Sequence, residues 1–237
     1  MQLDQFYSLE NDRFQFSRQQ ASRFAKEIAD DFNPIHDQDA KRFCVPGDLM
    51  FALVLSRYGL SKHMHFEYAG MVDDGIPLTI KEDKTGRLTI KDTSDKEYLH
   101  IERAGETNRD PLCIAELTRS YVEFSGHTFP HILVPLMLKN NVMINTDRPF
   151  VVYESMTIDL DHFNFNKATL EISSSTLNIS GKRGNATLEF CLKSSGEIIG
   201  RGEKKMVLSG LRDFDQAKMD TLVDLYTQRK QSYIKQE

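Results

Sequence analysis

Two side chains that can exchange protons, Asp31 and His36, lie five positions apart in the N-terminal part of the chain. Between them stands Pro34, which disfavours the α conformation for the residue before it and has no backbone N–H to donate. The stretch therefore predicts a bend that folds Asp31 and His36 toward one point. A carboxylate and an imidazole that share one water can activate it and transfer its proton.

Two predicted helices flank this bend and would fix its position. The first begins at Ser17, which forms a capping box with Gln20, and its apolar residues recur at three- and four-residue spacing up to Ile28. The second runs from Gly47 to about Gly59 and is apolar nearly all round. Such a helix is typical of the interior of a protein.

Residues 17–60 carry a more specific pattern. A helix is followed by Asp-x-Asn-Pro-Ile-His at residues 31–36 and by Val-Pro-Gly-Asp-Leu at residues 45–49. This pattern resembles the MaoC-like (R)-specific enoyl-CoA hydratases, in which the hexapeptide precedes a Val-His-Gly-Met-Leu segment that opens the central helix of a hot-dog fold. The sequence departs from the family at Pro46, where the family has His.

The resemblance implies a role for each matching residue. Asp31 and His36 would hold the water that adds to a double bond conjugated to a thioester, and Asn33 would support the pair. The backbone N–H of Gly47 would donate to the thioester oxygen as it takes on negative charge, a task for which helix starts are suited. The implied function is a hydratase or dehydratase acting on a 2-enoyl-CoA or 3-hydroxyacyl-CoA.

Other interpretations stay open at this stage. A pocket that binds an acyl thioester without turning it over would suit a sensor or interaction protein, and Pro46 and the charged Asp48 beside the predicted donor favour this. A thioesterase on the same fold would use the same water differently. An Asp and a His at this spacing are also common on protein surfaces, so the prediction of a site depends on the full hexapeptide and its flanking helices.

Three further features have weaker claims to function. Residues 126–131, Gly-His-Thr-Phe-Pro-His, are similar to the Gly-His-Phe-Pro of hot-dog acyl-carrier-protein dehydratases, but Thr is inserted and no acid partner is evident. His127 is therefore interpreted as structural. His63 and His65 are predicted to lie in a loop, where nothing completes a metal site. Lys204 and Lys205 could contact a phosphorylated carrier, but a solvated strand end explains them equally well.

From about residue 75 onward the sequence alternates apolar and polar residues, as antiparallel strands with one buried face do. The polar stretch 103–111 predicts a boundary between two units, and residues 129–142 predict a second buried helix. A last helix is predicted from about Asp213. The predicted strands are 76–81, 87–91, 97–102, 113–124, 150–158, 168–178, 185–193 and 198–208.

These elements predict an α+β double hot-dog fold, in which two antiparallel sheets each wrap around a central helix. Residues 1–105 would form the N-terminal unit with the hexapeptide, residues 112–212 a degenerate C-terminal unit, and residues 213–237 a C-terminal helix. Two units in one chain would cover each other's exposed edges, and a homodimer of the whole chain stays open.

The composition is that of an ordinary globular protein, with 40% hydrophobic and 27% charged residues. A net charge of −5 gives no reason to expect nucleic-acid binding. Cys44, Cys113 and Cys191 cannot all pair in disulfides and lack metal-ligand spacing. Neither a secretory signal nor an apolar run of about 18 residues is evident. We therefore expect a cytoplasmic protein without a metal or redox cofactor. Its expected partners are an acyl thioester of coenzyme A or an acyl-carrier protein.

Overall fold

A computed structural model describes residues 2–234 and shows an α+β protein built on one ten-stranded antiparallel sheet. The strands are β1 (Ser8–Glu10), β2 (Arg13–Gln15), β3 (Leu60–Tyr68), β4 (Leu78–Glu82), β5 (Leu88–Asp92), β6 (Glu97–Asn108), β7 (Val142–Met143), β8 (Val151–Leu160), β9 (Thr169–Ser180), β10 (Arg183–Ser194), β11 (Glu197–Ser209) and β12 (Arg212–Asp213). Across the sheet their order is β1-β2-β4-β5-β6-β3-β8-β11-β10-β9, and β7 pairs separately with β12.

One helix contributes most of its residues to the larger hydrophobic core. The α-helices are α1 (Arg18–Arg23), α2 (Gly47–Tyr58), α3 (Pro111–Gly126), α4 (Val134–Lys139) and α5 (Gln216–Ile234). In α2 every residue from 48 to 55 is buried, so the prediction of a helix inside the protein is confirmed.

The N-terminal helix and the bend have the predicted local structure. The Ser17 hydroxyl accepts from the N–H of Gln20, and the Gln20 side chain accepts from the N–H of Ser17, which confirms the capping box. A π-helical turn, Phe24–Ile28, follows α1. The chain then bends through Asp30, whose φ is +51°, into a 3₁₀ turn at Pro34–His36.

Strands β3 and β8 join the N-terminal and C-terminal parts of the sheet. His65 lies opposite Thr157 with Nδ1 2.8 Å from its hydroxyl, and His63 lies opposite Asp159 with Nδ1 2.6 Å from its carboxylate. The prediction of a loop at His63 and His65 was wrong. The signal for a strand was their alternation with two fully buried residues, Met64 and Phe66.

The predicted strand at residues 113–124 is a helix, α3. The Asp110 side chain caps it by accepting from the N–H of Leu112 at 3.0 Å, and Pro111 occupies its first position, where no N–H is needed. Strand β6 continues to Asn108, into the polar stretch 103–111. The buried face of α3 includes Cys113, Leu117 and Tyr121, which lie four residues apart.

A second, smaller core lies under the predicted second buried helix. Residues 129–142 form a π-helical turn, Phe129–Leu133, followed by α4, and the last of them begins β7. Their apolar side chains pack with residues of β9, β10 and β11. The sheet and the larger core continue from the N-terminal into the C-terminal part, and the division at residues 105–112 stays a prediction.

The C-terminal helix α5 begins at Gln216, slightly later than predicted, and residues 235–237 of the predicted helix lie outside the described residues. The Asp215 carboxylate accepts from the N–H of Lys218 at 3.1 Å. Among residues 2–234 no helix combines the length and the hydropathy that crossing a bilayer requires.

Candidate active site

A cavity of about 230 Å³ opens beside the loop of residues 30–37, the start of α2, the end of α3, and strands β8 and β11. We call the loop of residues 30–37 the motif loop. This cavity volume is somewhat below the range of about 300–1,000 Å³ that is common for pockets that hold small organic ligands. The wall of the cavity contains Asp31, Asn33, His36 and Gly47, together with apolar side chains that include Met50, Leu133, Val151 and Met206.

Asp31 and His36 face each other across a short gap. Asp31 Oδ2 lies 3.7 Å from His36 Nε2, and both side chains are partly exposed. The other ring nitrogen, Nδ1, lies 2.6 Å from the carbonyl oxygen of Cys44. Because a carbonyl oxygen only accepts, Nδ1 carries a proton, and in the neutral imidazole Nε2 is left as an acceptor. Asp31 Oδ2 and His36 Nε2 can therefore receive the two O–H groups of one water.

Asn33 holds the loop in shape. Its side-chain oxygen accepts from the N–H of Ile35 at 3.2 Å and caps the 3₁₀ turn that ends at His36. Its own backbone N–H donates to Asp31 Oδ1 at 2.8 Å. The backbone N–H of Asn33 thus binds Asp31 Oδ1, and the other oxygen, Oδ2, faces His36.

Gly47 begins α2, where backbone N–H groups lack acceptors within the helix. A Cβ at this position would lie 2.8 Å from a ring carbon of Tyr68 and 3.2 Å from one of Tyr153, so the two tyrosines leave room for glycine alone. Pro46 precedes the helix with φ −56°, a value that its ring favours. Pro46 is therefore compatible with the helix start.

A buried chain of polar groups lies beside these residues, and the sequence did not point to it. Lys204 Nζ donates to the Ser125 hydroxyl at 2.5 Å, and that hydroxyl donates to Asp48 Oδ2 at 2.6 Å. Asp48 is 8% and Lys204 4% exposed. Of the two interpretations of Lys204, that of a solvated residue at a strand end was wrong, because Lys204 alternates with the buried Met206 and Leu208 on the inner face of β11.

Burial works against the charge of both end members of this chain. It raises the pKa of Asp48, although the attraction of Lys204 opposes the shift. It lowers the pKa of Lys204, again against the attraction of Asp48. The second carboxylate oxygen, Asp48 Oδ1, is buried and accepts no hydrogen bond from residues 2–234.

Three tyrosines line the inner side of this polar chain. The rings of Tyr68 and Tyr153 stack with centroids 4.4 Å apart, and the hydroxyls of Tyr153 and Tyr121 are hydrogen-bonded. Lys204 Nζ lies 4.3 Å from the centroid of the Tyr153 ring, a favourable cation–π contact. Burial raises the pKa of all three hydroxyls well above its ordinary value, so they stay protonated.

Helix α5 holds the outer side of the motif loop. The Tyr226 hydroxyl accepts from the N–H of Phe32, Arg229 pairs with Asp37, and Lys230 pairs with Asp30. The sequence could not show these contacts, since they join residues nearly 200 positions apart.

The end of α3 approaches the motif loop closely at Gly126. A Cβ there would lie 1.8 Å from the carbonyl oxygen of Ala29, so the contact requires glycine. The next residue, His127, lies outside the cavity wall, and its Nε2 is 2.6 Å from Asp30 Oδ2. The contact of His127 is thus with the motif loop.

The described part of the chain contains no group of three or more His, Cys, Asp or Glu side chains placed to hold a metal ion. Cys44 lines the cavity, but burial raises the pKa of its thiol to about 12. A thiol with this pKa is a poor nucleophile near neutral pH.

No protein with curated annotation matches the chain by sequence. Among solved structures, an acyl-CoA thioesterase II, TesB2, from Mycobacterium marinum is 10% identical, with 91% of this chain and 99% of the other covered and a TM-score of 0.47. A MaoC-like dehydratase is 11% identical, with 86% and 97% covered and a TM-score of 0.44. A conserved protein of unknown function with a hot-dog fold from Alicyclobacillus acidocaldarius is 10% identical, with 88% and 98% covered and a TM-score of 0.47.

One family model matches nearly the whole chain. It spans residues 1–217, and its description is "Protein of unknown function (DUF3581)". The chain therefore belongs to the DUF3581 family.

Proposed function

We propose that this protein hydrates the double bond of a 2-enoyl thioester, or dehydrates the corresponding 3-hydroxyacyl thioester. The observation that carries the proposal is the 3.7 Å separation of Asp31 Oδ2 and His36 Nε2 on the wall of one cavity. A water between them would donate one O–H to each, and the apolar part of the wall would hold a short acyl group.

Hydration consumes one water, and the pair gives back the proton that it removes, so the protein ends the reaction unchanged. In the forward direction the pair removes a proton from the water, and the hydroxide adds to C3 of the enoyl group. The double-bond electrons move toward the thioester oxygen, and the resulting enolate takes the proton at C2. The helix-start N–H of Gly47 would donate to that oxygen while it carries negative charge. Neither a metal nor a redox cofactor takes part in this sequence.

The proposed architecture is a double hot-dog. Support comes from the buried α2 beside the N-terminal strands, from α4 over β9–β11, and from the pairing of β3 with β8. In this arrangement the C-terminal unit supplies Val151, Tyr153 and Lys204 to a cavity whose proposed catalytic pair is N-terminal. The thioester carrier would be coenzyme A or an acyl-carrier protein, and a homodimer remains compatible with the proposal.

Purified protein mixed with trans-2-enoyl-CoA esters of increasing chain length tests the function. We expect the absorbance of the conjugated thioester to fall without release of free thiol, and a metal chelator to leave the rate unchanged. Asp31→Asn and His36→Ala should each lower the rate by about 10²–10⁴. The double variant should be little slower than either single variant, because the two residues act on one water.

Asp161→Asn and His131→Ala provide matched controls, since both side chains are exposed and lie outside the cavity wall. Their rates should equal that of the unmodified protein. Release of free thiol would assign a thioesterase instead. Binding of acyl thioesters of coenzyme A and of a carrier protein without turnover of either would assign a sensor.

A further inference from the structure

A second space, which we call the α5 groove, lies next to the cavity. It has a volume of about 30 Å³, and the apolar part of its wall includes Ile144, Pro149, Leu222 and Leu225. Two of these residues belong to α5, so the C-terminal helix forms one side of the groove. The groove is distinct from the space beside the proposed catalytic pair, since neither Asp31 nor His36 lines it.

Phe129 and Val151 lie between the groove and the cavity. Both residues line both spaces, as does Asn33 of the motif loop. We call Phe129 and Val151 the partition. The Phe129 ring packs against Tyr226 with ring centroids 6.1 Å apart, and Val151 lies on β8 opposite Leu208 of β11. Helix α5 therefore holds one half of the partition in place, and the sheet holds the other.

The apolar part of the cavity wall leads to this partition. Leu133 and Met206 line the cavity and are buried in the smaller core, and Phe129 and Val151 pack against the same core. Ile144 of the groove is buried in that core as well. An acyl chain along this wall buries hydrocarbon at each step, and each buried methylene strengthens binding about fourfold. Beyond the partition a longer chain would gain no further contact with the wall.

We propose that Phe129 and Val151 set the longest acyl chain that the cavity binds, and that a chain freed of this partition continues into the α5 groove. The proposal rests on the proposed function, because it assumes that the acyl group of a thioester occupies the cavity. Removal of the Phe129 ring joins the two spaces and adds the volume of the ring to them. A straight acyl chain that is too long for the unmodified protein then has an apolar wall to follow.

Calorimetric titration with saturated acyl-CoA esters, from butanoyl-CoA to dodecanoyl-CoA, tests the partition. These esters contain no double bond to hydrate, so the titration measures binding. In the unmodified protein the affinity should rise with chain length up to a limit and then stay level or fall. Phe129→Ala should extend that limit by about two carbons or more, with about fourfold tighter binding for each carbon gained. Val151→Ala removes fewer atoms and should extend the limit less.

Phe214→Ala and Val142→Ala are matched controls, since both residues are partly buried against the same smaller core but line neither space. Each should keep the limit of the unmodified protein. Leu222→Trp in the Phe129→Ala background should restore the shorter limit, because the indole fills the groove from α5. Circular dichroism checks that each variant is folded, and Val151→Ala provides the test should Phe129→Ala fail to fold.

Three results would overturn the proposal. The first is an affinity that rises steadily through dodecanoyl-CoA in the unmodified protein, because the partition would then set no limit. The second is a limit that Phe129→Ala and Val151→Ala leave in place, or that Phe214→Ala moves equally. The third is an extended limit that persists after Leu222→Trp, which would place the end of the chain outside the groove.

Hydration and chain length have separate readouts. Hydration of 2-enoyl-CoA esters with one length limit in all variants would leave the proposed function and overturn the partition. An extended limit in Phe129→Ala without hydration by the unmodified protein would leave the partition in a sensor. If no ester of any length binds, both proposals fall.

Discussion

The hydroxyl of Tyr226 accepts a hydrogen bond of 3.0 Å from the backbone N–H of Phe32. Phe32 follows Asp31 in the chain, whereas Tyr226 lies in α5, so this bond ties the C-terminal helix to the loop with the proposed catalytic pair. The same hydroxyl lies 3.3 Å from the carbonyl oxygen of Asp30 and 3.4 Å from that of Gly126. One phenol thus joins the motif loop, α3 and α5.

Tyr226→Phe should lower the free energy of unfolding by about 1–3 kcal/mol, because it leaves the buried N–H of Phe32 without an acceptor. Urea denaturation measures this change. Tyr233→Phe on the same helix is the matched control. Its hydroxyl donates to Glu27 at an exposed position, so we expect a change within about 0.5 kcal/mol. Equal losses in the two variants would mean that the Phe32–Tyr226 bond has no special importance.

Gly126→Ala should destabilise the protein by more than the about 1–3 kcal/mol typical of overpacking. The added Cβ would lie 1.8 Å from the backbone oxygen of Ala29, which cannot rotate away as a side chain can. Thermal unfolding measures the effect. Gly210→Ala meets no atom within 4 Å and adds only the strain of φ +70°, about 1–2 kcal/mol. A smaller loss of stability in Gly126→Ala than in Gly210→Ala would show that α3 does not approach the motif loop this closely.

Lys204→Met should cost about 3–5 kcal/mol of stability, since it leaves the carboxylate of Asp48 buried and unpaired. Asp48→Leu together with Lys204→Met should be neutral or should stabilise by about 1–4 kcal/mol. The raised pKa of Asp48 contributes stability that is fully present below its unfolded pKa and is lost as the pH rises through its folded pKa. The lowered pKa of Lys204 contributes stability that is fully present above its unfolded pKa and is lost as the pH falls through its folded pKa. Where both groups are ionised, burial disfavours each charge, and the attraction between the two offsets part of that cost.

Denaturation of the single and double variants at pH 7 tests this pair. Lys205→Met is the matched control, because its side chain is 46% exposed on the opposite face of β11 and should change stability by no more than about 0.5 kcal/mol. Additive losses in the double variant would show that Asp48 and Lys204 do not interact.

The thiols of Cys44 and Cys113 should react slowly with iodoacetamide in the folded protein. Burial raises their pKa to about 12 and about 11, and the reactive species is the thiolate. At pH 8.5 an unperturbed thiol is about half ionised, whereas the thiolate fraction of Cys44 is about a thousandfold smaller. Mass spectrometry of labelled peptides measures each rate, with the urea-unfolded protein as the reference. Equal labelling of Cys44 in the folded and unfolded protein would contradict its burial.

The sequence by itself determined the features that depend on neighbouring residues. The capping box of Ser17 and Gln20, the bend before Pro34 and the burial of α2 were predicted from local patterns, because caps, proline geometry and all-round apolarity act within a few residues. The hexapeptide also singled out Asp31 and His36. Their catalytic role remains a prediction.

Only the tertiary structure decided the features that depend on residues far apart in the chain. Residues 113–124 alternate like a strand, but the fold buries one face of a helix there, since Tyr121 packs against Phe51 of α2. Lys204 resembles a solvated residue in sequence, yet it lies inside because β11 turns that face toward Ser125 and Asp48. Burial and pairing over such distances depend on which surfaces meet, and a local pattern contains no information about the partner surface.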